Sequence, residues 1–174
     1  AASTKRIKIG FAVAQMSLHH PIRMAEQMAL IDNISHGRLI VGLGRGTAYN
    51  IYDYQGYGID PDEAQERLLE SEEIMIGAWN GENFVHDGKF WKIKLPLLRP
   101  RPYTKPHPPV FVPMSGSRDS IPFLAKHGFR PTYFTPLDTL VDFAHYYVEE
   151  ARKHGHDFAF GERQNIARWI QLGD

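Results

Sequence analysis

Residues 20–46 read HPIRMAEQMALIDNISHGRLIVGLGRG, and the change of hydrophobic period inside them sets the architecture. Pro21 suits the first turn of a helix, where a missing N–H costs no hydrogen bond. Behind it Ile22, Ala25, Ala29, Leu30 and Ile34 recur at helical spacing, which predicts one helix over 21–34. Ser35-His36-Gly37 ends it, with Gly37 as the left-handed C-terminal residue. Arg38 to Leu43 then reads as a strand that exits through Gly42-Leu43-Gly44-Arg45-Gly46. A strand exit stripped of side chains lets a flat ligand approach the backbone, and Arg45 adds a fixed cation. This is the pattern of an α/β protein with a cofactor site at its strand ends.

The alternation continues on both sides. Arg6 to Ala14 (RIKIGFAVA) reads as a buried strand, with Gly10 marking a bulge or a close backbone approach. Residues 47–61, rich in Tyr, Gly and Asp, read as a long loop. Pro61, with Asp60 as N-cap, opens a helix to about Asn80 whose stripe is Leu68, Met75 and Trp79, flanked by Leu69 and Ile76; Gly81 closes it. A proline-dense tract at about 83–109 forbids a helix or a central strand, so it reads as a surface excursion holding a hairpin around Asp87-Gly88. Val110 to Val112 is a short strand, and Met114-Ser115-Gly116-Ser117 leads into a helix at 118–127 closed by Gly128. A helix at 138–154 and a last strand at Gln164 to Ile170 follow. Strands alternating with helices imply parallel strands joined by crossovers.

A chain of 174 residues makes a single domain, 1–174, and 43% hydrophobic residues suffice for a core. Twenty basic and twenty acidic residues cancel, which points away from nucleic acid or a membrane surface as partner. With no cysteine, a disulfide framework, a thiolate zinc site and a cysteine nucleophile are all excluded. No apolar run near ~18 residues occurs, so the expectation is a soluble, cytoplasmic protein. His19-His20 are adjacent, His154-x-His156 has no third ligand in sequence, and no metal is expected. There is no G-x-S-x-G of a serine hydrolase.

Two further groups carry chemistry. The turn Ser115-Gly116-Ser117, with Ser120 beyond it, has the small hydroxyls and free N–H groups of a phosphate site, or is an ordinary serine cap. Arg67 is either a phosphate counter-charge or a solvated ion-pair partner of Glu63, Glu66 and Glu70. The glycines at 42–46 alternate without the third glycine and helix start of a dinucleotide fingerprint. The tyrosines at 49–57 suit either stacking on a flavin or a base, or a lid.

Four blocks in order carry a family likeness: HHPIRMAEQMALIDNISHGRLIVGLGRG, RLLESEEIMIGAW, FVHDGKFW ahead of the proline tract, and PPVFVPMSGSRDSIPFLAKHG. Together they resemble the luciferase-like flavin monooxygenases, a family that includes F420-dependent oxidoreductases. The likeness covers nearly the whole chain and thins after about residue 135. It implies an α/β fold, a partial TIM-type (β/α)8 barrel of roughly strands three to seven, since a full barrel takes ~250 residues. The implied cofactor is FMN, with F420 as the alternative. The implied partners are a small organic substrate, O2 and a flavin reductase, in a homo-oligomer.

Carried over by position, Ala12-Val13 match a cis peptide beneath the flavin ring. Arg45 matches a cation at the ring's polar edge and is the candidate catalytic residue. Arg67 and Ser117 match phosphate ligands, with Ser115, Gly116 and Ser120 nearby. The family's histidine near the reactive edge lies on an earlier strand, and His19-His20 align instead with the start of the next helix. The chain therefore reads as a fragment of a longer enzyme. A non-catalytic flavin-binding or interaction protein derived from the barrel is the alternative.

Overall fold

In the computed structural model, which describes residues 1–46 and 48–168, the chain divides into two units, Ala1–Pro109 and Val110–Asp174. The first unit is organised by its longest parallel strand. β1 (Ile9–Gly10) and β2 (Ala14–Gln15) both pair in parallel with β3 (Leu39–Gly44), in the registers Ile9↔Leu39 and Ala14↔Leu43. The strand expected over 6–14 is thus broken, and it is not buried: Ile7, Phe11 and Val13 are 63%, 39% and 38% exposed. Phe11 to Val13 leaves the ladder, and no other strand flanks β1 or β2 among the described residues, so these apolar side chains stay uncovered. Gly42 fixes how close the segment lies to β3. A Cβ at Gly42 would stand 1.9 Å from the Phe11 carbonyl oxygen, so only glycine permits this approach.

Helix α1 (Pro21–Ser35) begins at its proline, as the sequence predicts. Its buried face is Pro21, Ala25, Met28, Ala29 and Asp32. Leu30 and Ile34, expected on the apolar stripe, are both 49% exposed. At ~100° per residue they lie roughly opposite Ala25, because the buried face follows Met28 and Asp32 instead. The left-handed cap is also shifted by one position. His36 takes it at φ 53°, and Gly37 follows at φ 76° with its N–H donating to the Asp32 carbonyl at 3.0 Å.

Residues 48–57 correct the expected long loop. A short 3-10 turn at Ala48–Asn50 runs into α2 (Ile51–Tyr57), which Gly58 closes at φ 65°. Tyr54 is its anchor, 3% exposed, while Tyr49, Tyr52 and Tyr57 face solvent. A helix this short depends on tertiary packing, and Tyr54 is the side chain through which α2 packs.

The Asp60 carboxylate accepts the Asp62 N–H at 2.9 Å and starts a turn at Pro61–Glu63, from which α3 (Ala64–Asn80) continues. Leu68, Met75 and Trp79 are buried on it, and the Trp79 indole N–H donates to the Ala25 carbonyl at 3.0 Å, tying α3 to α1. The hairpin forms as expected, with β4 (Phe84–Asp87) antiparallel to β5 (Lys92–Leu95). Its turn is capped by the Glu70 carboxylate, which accepts the N–H groups of Phe90 (3.0 Å) and Trp91 (2.9 Å) and bonds His86 Nε2 at 3.2 Å. The proline tract returns to α1, where the buried Asp32 carboxylate accepts the Thr104 N–H (2.7 Å) and hydroxyl (3.1 Å).

The second unit is a parallel β/α layer. β6 (Val110–Met114), β7 (Arg130–Tyr133) and β8 (Asn165–Ile166) pair in sequence, with Phe111↔Arg130 and Thr132↔Asn165. Helix α4 (Ile121–His127) starts three residues later than expected, because Ser117 to Ser120 form a turn first, and it ends at Gly128 with φ 64°. Helix α5 (Leu137–Lys153) buries Leu140, Phe143, Ala144, Tyr147, Val148 and Ala151. The Tyr147 hydroxyl donates to the Phe129 carbonyl at 2.7 Å, which fixes the entry to β7. Of the last strand expected over 164–170, Asn165–Ile166 forms, and residues 169–170 lie outside the described ones.

Candidate functional site

In the first unit the candidate residues Ala12, Val13 and Arg45 sit at the ends of paired strands. β2 and β3 finish side by side, with Gln15 opposite Gly44, so Arg45 is the first residue beyond the ladder. The Ala12–Val13 peptide is cis. The Arg45 side chain is exposed, and no carboxylate among the described residues lies within ion-pair distance of it. Gly46 follows at φ 90°, and a Cβ there would lie 2.2 Å from Gln15 Nε2. That amide nitrogen is buried without a hydrogen-bond partner among the described residues.

What holds this corner is a pair of hydroxyls. Ser17 Oγ donates to the Arg45 carbonyl at 2.8 Å, and the Tyr54 hydroxyl donates to the same oxygen. Ser17 Oγ and the Tyr54 oxygen are 2.6 Å apart. Both side chains are buried. Neither residue stands out in the sequence as a site residue. Tyr54 is one tyrosine among several, and Ser17 lies in a stretch without a motif.

Arg67 is occupied differently. Its guanidinium pairs with Glu63 at 2.8 Å and stacks over the Phe90 ring at 4.3 Å, and the side chain is 19% exposed. Glu66 pairs instead with Lys89 at 2.5 Å, and Glu70 is taken up by the hairpin turn. The ion-pair reading of Arg67 therefore has a partner in the structure, Glu63 alone of the three glutamates named for it.

A cavity of about 490 Å³ opens beside the first turns of α1. Phe11, Val13 and Met24 give it an apolar wall, and Gln15, His20 and Arg23 a polar one. Of the candidate site residues it includes Val13 only.

The run Asp32 to Arg38, central to the sequence motif, proves to be a fastening. Asp32 holds the proline tract, and Asn33 Nδ2 donates to the Arg101 carbonyl at 2.7 Å. The Arg38 guanidinium donates to the carbonyls of Ser35, Ile7, Ala1 and Thr4 and to the Thr4 hydroxyl, all within 3.0 Å. With its donors spent on four backbone carbonyls and the Thr4 hydroxyl, Arg38 secures the chain that leads into β1.

In the second unit Ser115, Gly116 and Ser117 follow β6 and are exposed, and Ser120 is half-buried at the start of α4. Ser117 Oγ accepts the Asp119 N–H at 3.0 Å, a local turn that leaves Ser115 and Gly116 facing solvent. A Cβ on Gly116 would meet nothing within 4 Å. Ser120 makes no side-chain cap hydrogen bond, whereas Ser117, accepting the N–H two residues on, makes the bond a serine cap makes. Arg118 lies over the Tyr146 ring at 5.0 Å, a cation beside the turn that the sequence reading passed over.

Among the described residues no group of three or more His, Asp or Glu side chains is arranged to hold a metal ion. No helix among them is long and apolar enough to cross a membrane.

Comparison with known proteins follows the same lines. The model of the luciferase-like monooxygenase family matches residues 1–171. The oxygenase component of a flavin-dependent trigonelline monooxygenase from Acinetobacter baylyi is 33% identical over 112 residues, 64% of this chain and 31% of that protein. The solved monooxygenase RslO1 from Streptomyces bottropensis superposes with a TM-score of 0.85 at 26% identity, over 95% of this chain and 50% of its own. The oxygenating constituent of 3,6-diketocamphane monooxygenase from Pseudomonas putida, solved in complex with FMN, gives a TM-score of 0.78 at 25% identity, over 94% and 49%. The chain thus spans about half the length of these structures and about a third of that of the trigonelline enzyme. The fold class is α/β, a partial TIM-type barrel.

Proposed function

The chain belongs to the luciferase-like monooxygenase family, and we propose that it is the flavin-holding part of an FMN-dependent monooxygenase acting on a small organic substrate. The observation that carries this reading is the strand-end corner of the first unit. There an exposed Arg45 stands one residue beyond the Gln15–Gly44 pair, and the Phe11 to Val13 segment lies further back along β3, where Gly42 admits it.

The residues fit the group. Gly42 admits the Phe11 to Val13 backbone against β3 and Gly46 leaves room for the Gln15 amide, while Val13 offers a flat ring exposed apolar surface. The Gln15 amide nitrogen is a buried donor without an acceptor among the described residues, as a carbonyl-rich ring edge requires. Arg45 carries a permanent charge that stabilises an anionic reduced ring. In the second unit Ser115, Gly116 and Ser117 expose small hydroxyls and backbone suited to phosphate. When bound, reduced FMN supplies the electrons with which O2 is activated toward the substrate, and the protein's contribution is to hold the ring, set its charge and keep water away. A flavin reductase supplies the reduced cofactor, in keeping with the relative that is named an oxygenase component.

The test is fluorescence titration of the 174-residue chain with FMN and, in parallel, F420, for wild type, Arg45→Ala and Ser117→Ala. FMN binding weakened about tenfold by each change supports the reading, at the order of one charge-assisted hydrogen bond. Preference for F420 transfers the site to hydride-transfer chemistry. Binding of neither removes the flavin role from this chain.

A further inference from the structure

Beyond β3 the Arg45 carbonyl has no ladder partner, since the last paired residues are Gln15 and Gly44. A carbonyl in that position needs donors, and it receives them from two buried side chains on other elements. Ser17 comes from the 3-10 turn after β2, and Tyr54 from α2. They are 1% and 3% exposed and touch each other at 2.6 Å, so two hydroxyl protons serve a closed triangle of three oxygens. We propose that Ser17 and Tyr54 are positioning residues that orient the Arg45 peptide, and through it aim the Arg45 guanidinium at the bound flavin. The inference rests on the flavin reading above, and its test separates the two.

The physical case is one of opposed exposure. The carbonyl of Arg45 is pinned from the buried side, while its side chain projects to the exposed side and has no ion-pair partner among the described residues to steer it. The next residue, Gly46, is at φ 90°, a conformation that glycine adopts freely and so does not itself enforce. With no restraint from the ladder and little from Gly46, the hydroxyl triangle is what fixes the peptide plane. The same contact ties α2, and with it the exposed Tyr49, Tyr52 and Tyr57, to the strand end that carries Arg45.

Anaerobic titration with oxidised FMN and with dithionite-reduced FMN measures the point directly, because only reduced FMN adds anionic charge to the ring. Arg45→Ala raises the ratio of the reduced to the oxidised dissociation constant. Tyr54→Phe, which keeps the ring and its packing, and Ser17→Ala raise the same ratio about fivefold each, the size of one hydrogen bond. Ser17→Thr, which restores a hydroxyl, returns it toward wild type. Added to Arg45→Ala, Tyr54→Phe produces no further change in the ratio.

Mere loosening of the fold would weaken both redox forms alike and leave the ratio unmoved. If Arg45→Ala moves the ratio and neither hydroxyl variant does, the positioning role is overturned while the flavin reading stands. If Arg45→Ala leaves the ratio unchanged, the positioning role is overturned while flavin binding stands; if the chain binds no FMN, both fall together. Should Tyr54→Phe unfold, Ser17→Ala alone decides the matter.

Discussion

Replacing Glu72 by leucine should stabilise this protein, and by an amount that grows with pH. Glu72 is fully buried on α3, and neither of its carboxylate oxygens has a hydrogen-bond partner among the described residues. Burial alone pushes its pKa from 4.5 up to about 8. Between those values the folded chain keeps a proton that the unfolded chain has already released. The unfolded state then binds fewer protons than the native state, so stability falls as pH rises through that window, at up to ~1.4 kcal/mol per unit. Summed from 4.5 to about 8, the loss is on the order of 5 kcal/mol, a ceiling because water reaching the site lowers it. Above pH 8 the loss is complete and the curve flattens.

Urea unfolding followed by tryptophan fluorescence at pH 5, 6, 7 and 8 gives the profile for wild type and Glu72→Leu. The difference between the two should be smallest at pH 5 and widen steadily to pH 8. Subtracting the profiles cancels other titrations, notably His107, whose pKa is lowered by burial despite its bond to the Pro108 carbonyl and whose effect runs the other way below pH 6.5. Glu72→Gln, which cannot titrate, should share the flat profile with less gain in stability. Parallel profiles for wild type and Glu72→Leu, or a leucine variant less stable at pH 8, would refute the reasoning. Either result would mean that the carboxyl is ionised and paired.

Three other changes bear on how the first unit is held together. Gly42→Ala places a Cβ 1.9 Å from the Phe11 carbonyl oxygen, backbone that has no rotamer to yield, so thermal unfolding should show a loss of roughly 3 kcal/mol or more together with loss of FMN binding. Asp32→Ala leaves the Thr104 N–H and hydroxyl without their acceptor; a loss of about 2–4 kcal/mol is expected, with new proteolytic cleavage inside residues 99–107 seen by mass spectrometry. Glu70→Ala releases the Phe90 and Trp91 N–H groups together with His86, and hydrogen exchange at those two amides should rise while the amides of α1 stay protected.

The crossover pattern was legible because the long helices α1, α3 and α5 carry apolar stripes and the strands β3 and β6 short apolar runs. Where legibility failed, one side chain usually outweighed its neighbours. Leu30 and Ile34 look like stripe residues, yet Met28 and Asp32 set the buried face of α1, since Asp32 brings in the whole proline tract by bonding Thr104. A buried acid that recruits a distant loop has no local signature. Glu72 shows the converse. Leu68, Glu72, Met75 and Trp79 follow helical spacing without a break, so its place on the stripe was readable, but a carboxyl there reads as a gap in the stripe. The loop expected over 47–61 failed for a third reason. Tyr, Gly and Asp favour turns in composition, and the one buried side chain of α2, Tyr54 against Ser17, leaves no periodic stripe to read.

The candidate site divides along the same line. Arg45 was legible because a cation between alternating glycines has few structural uses, and its neighbours could not supply a reason for it. The residues that fix Arg45 were not legible, because Ser17 and Tyr54 lie 28 and 9 positions away and act through a carbonyl rather than through a side chain. Arg67 marks the limit of reading a charge by its type. In sequence it is a cation beside three glutamates, and in the structure its guanidinium is held between Glu63 and the Phe90 ring. Held so, it would have to leave both partners to meet a phosphate, whereas Arg45 would leave none among the described residues. If flavin binding draws on these two arginines at all, the cost of reorganisation falls on Arg67. Arg67→Ala should therefore weaken FMN less than Arg45→Ala does, and equal losses in a fluorescence titration would show that the Glu63 pair opens without penalty.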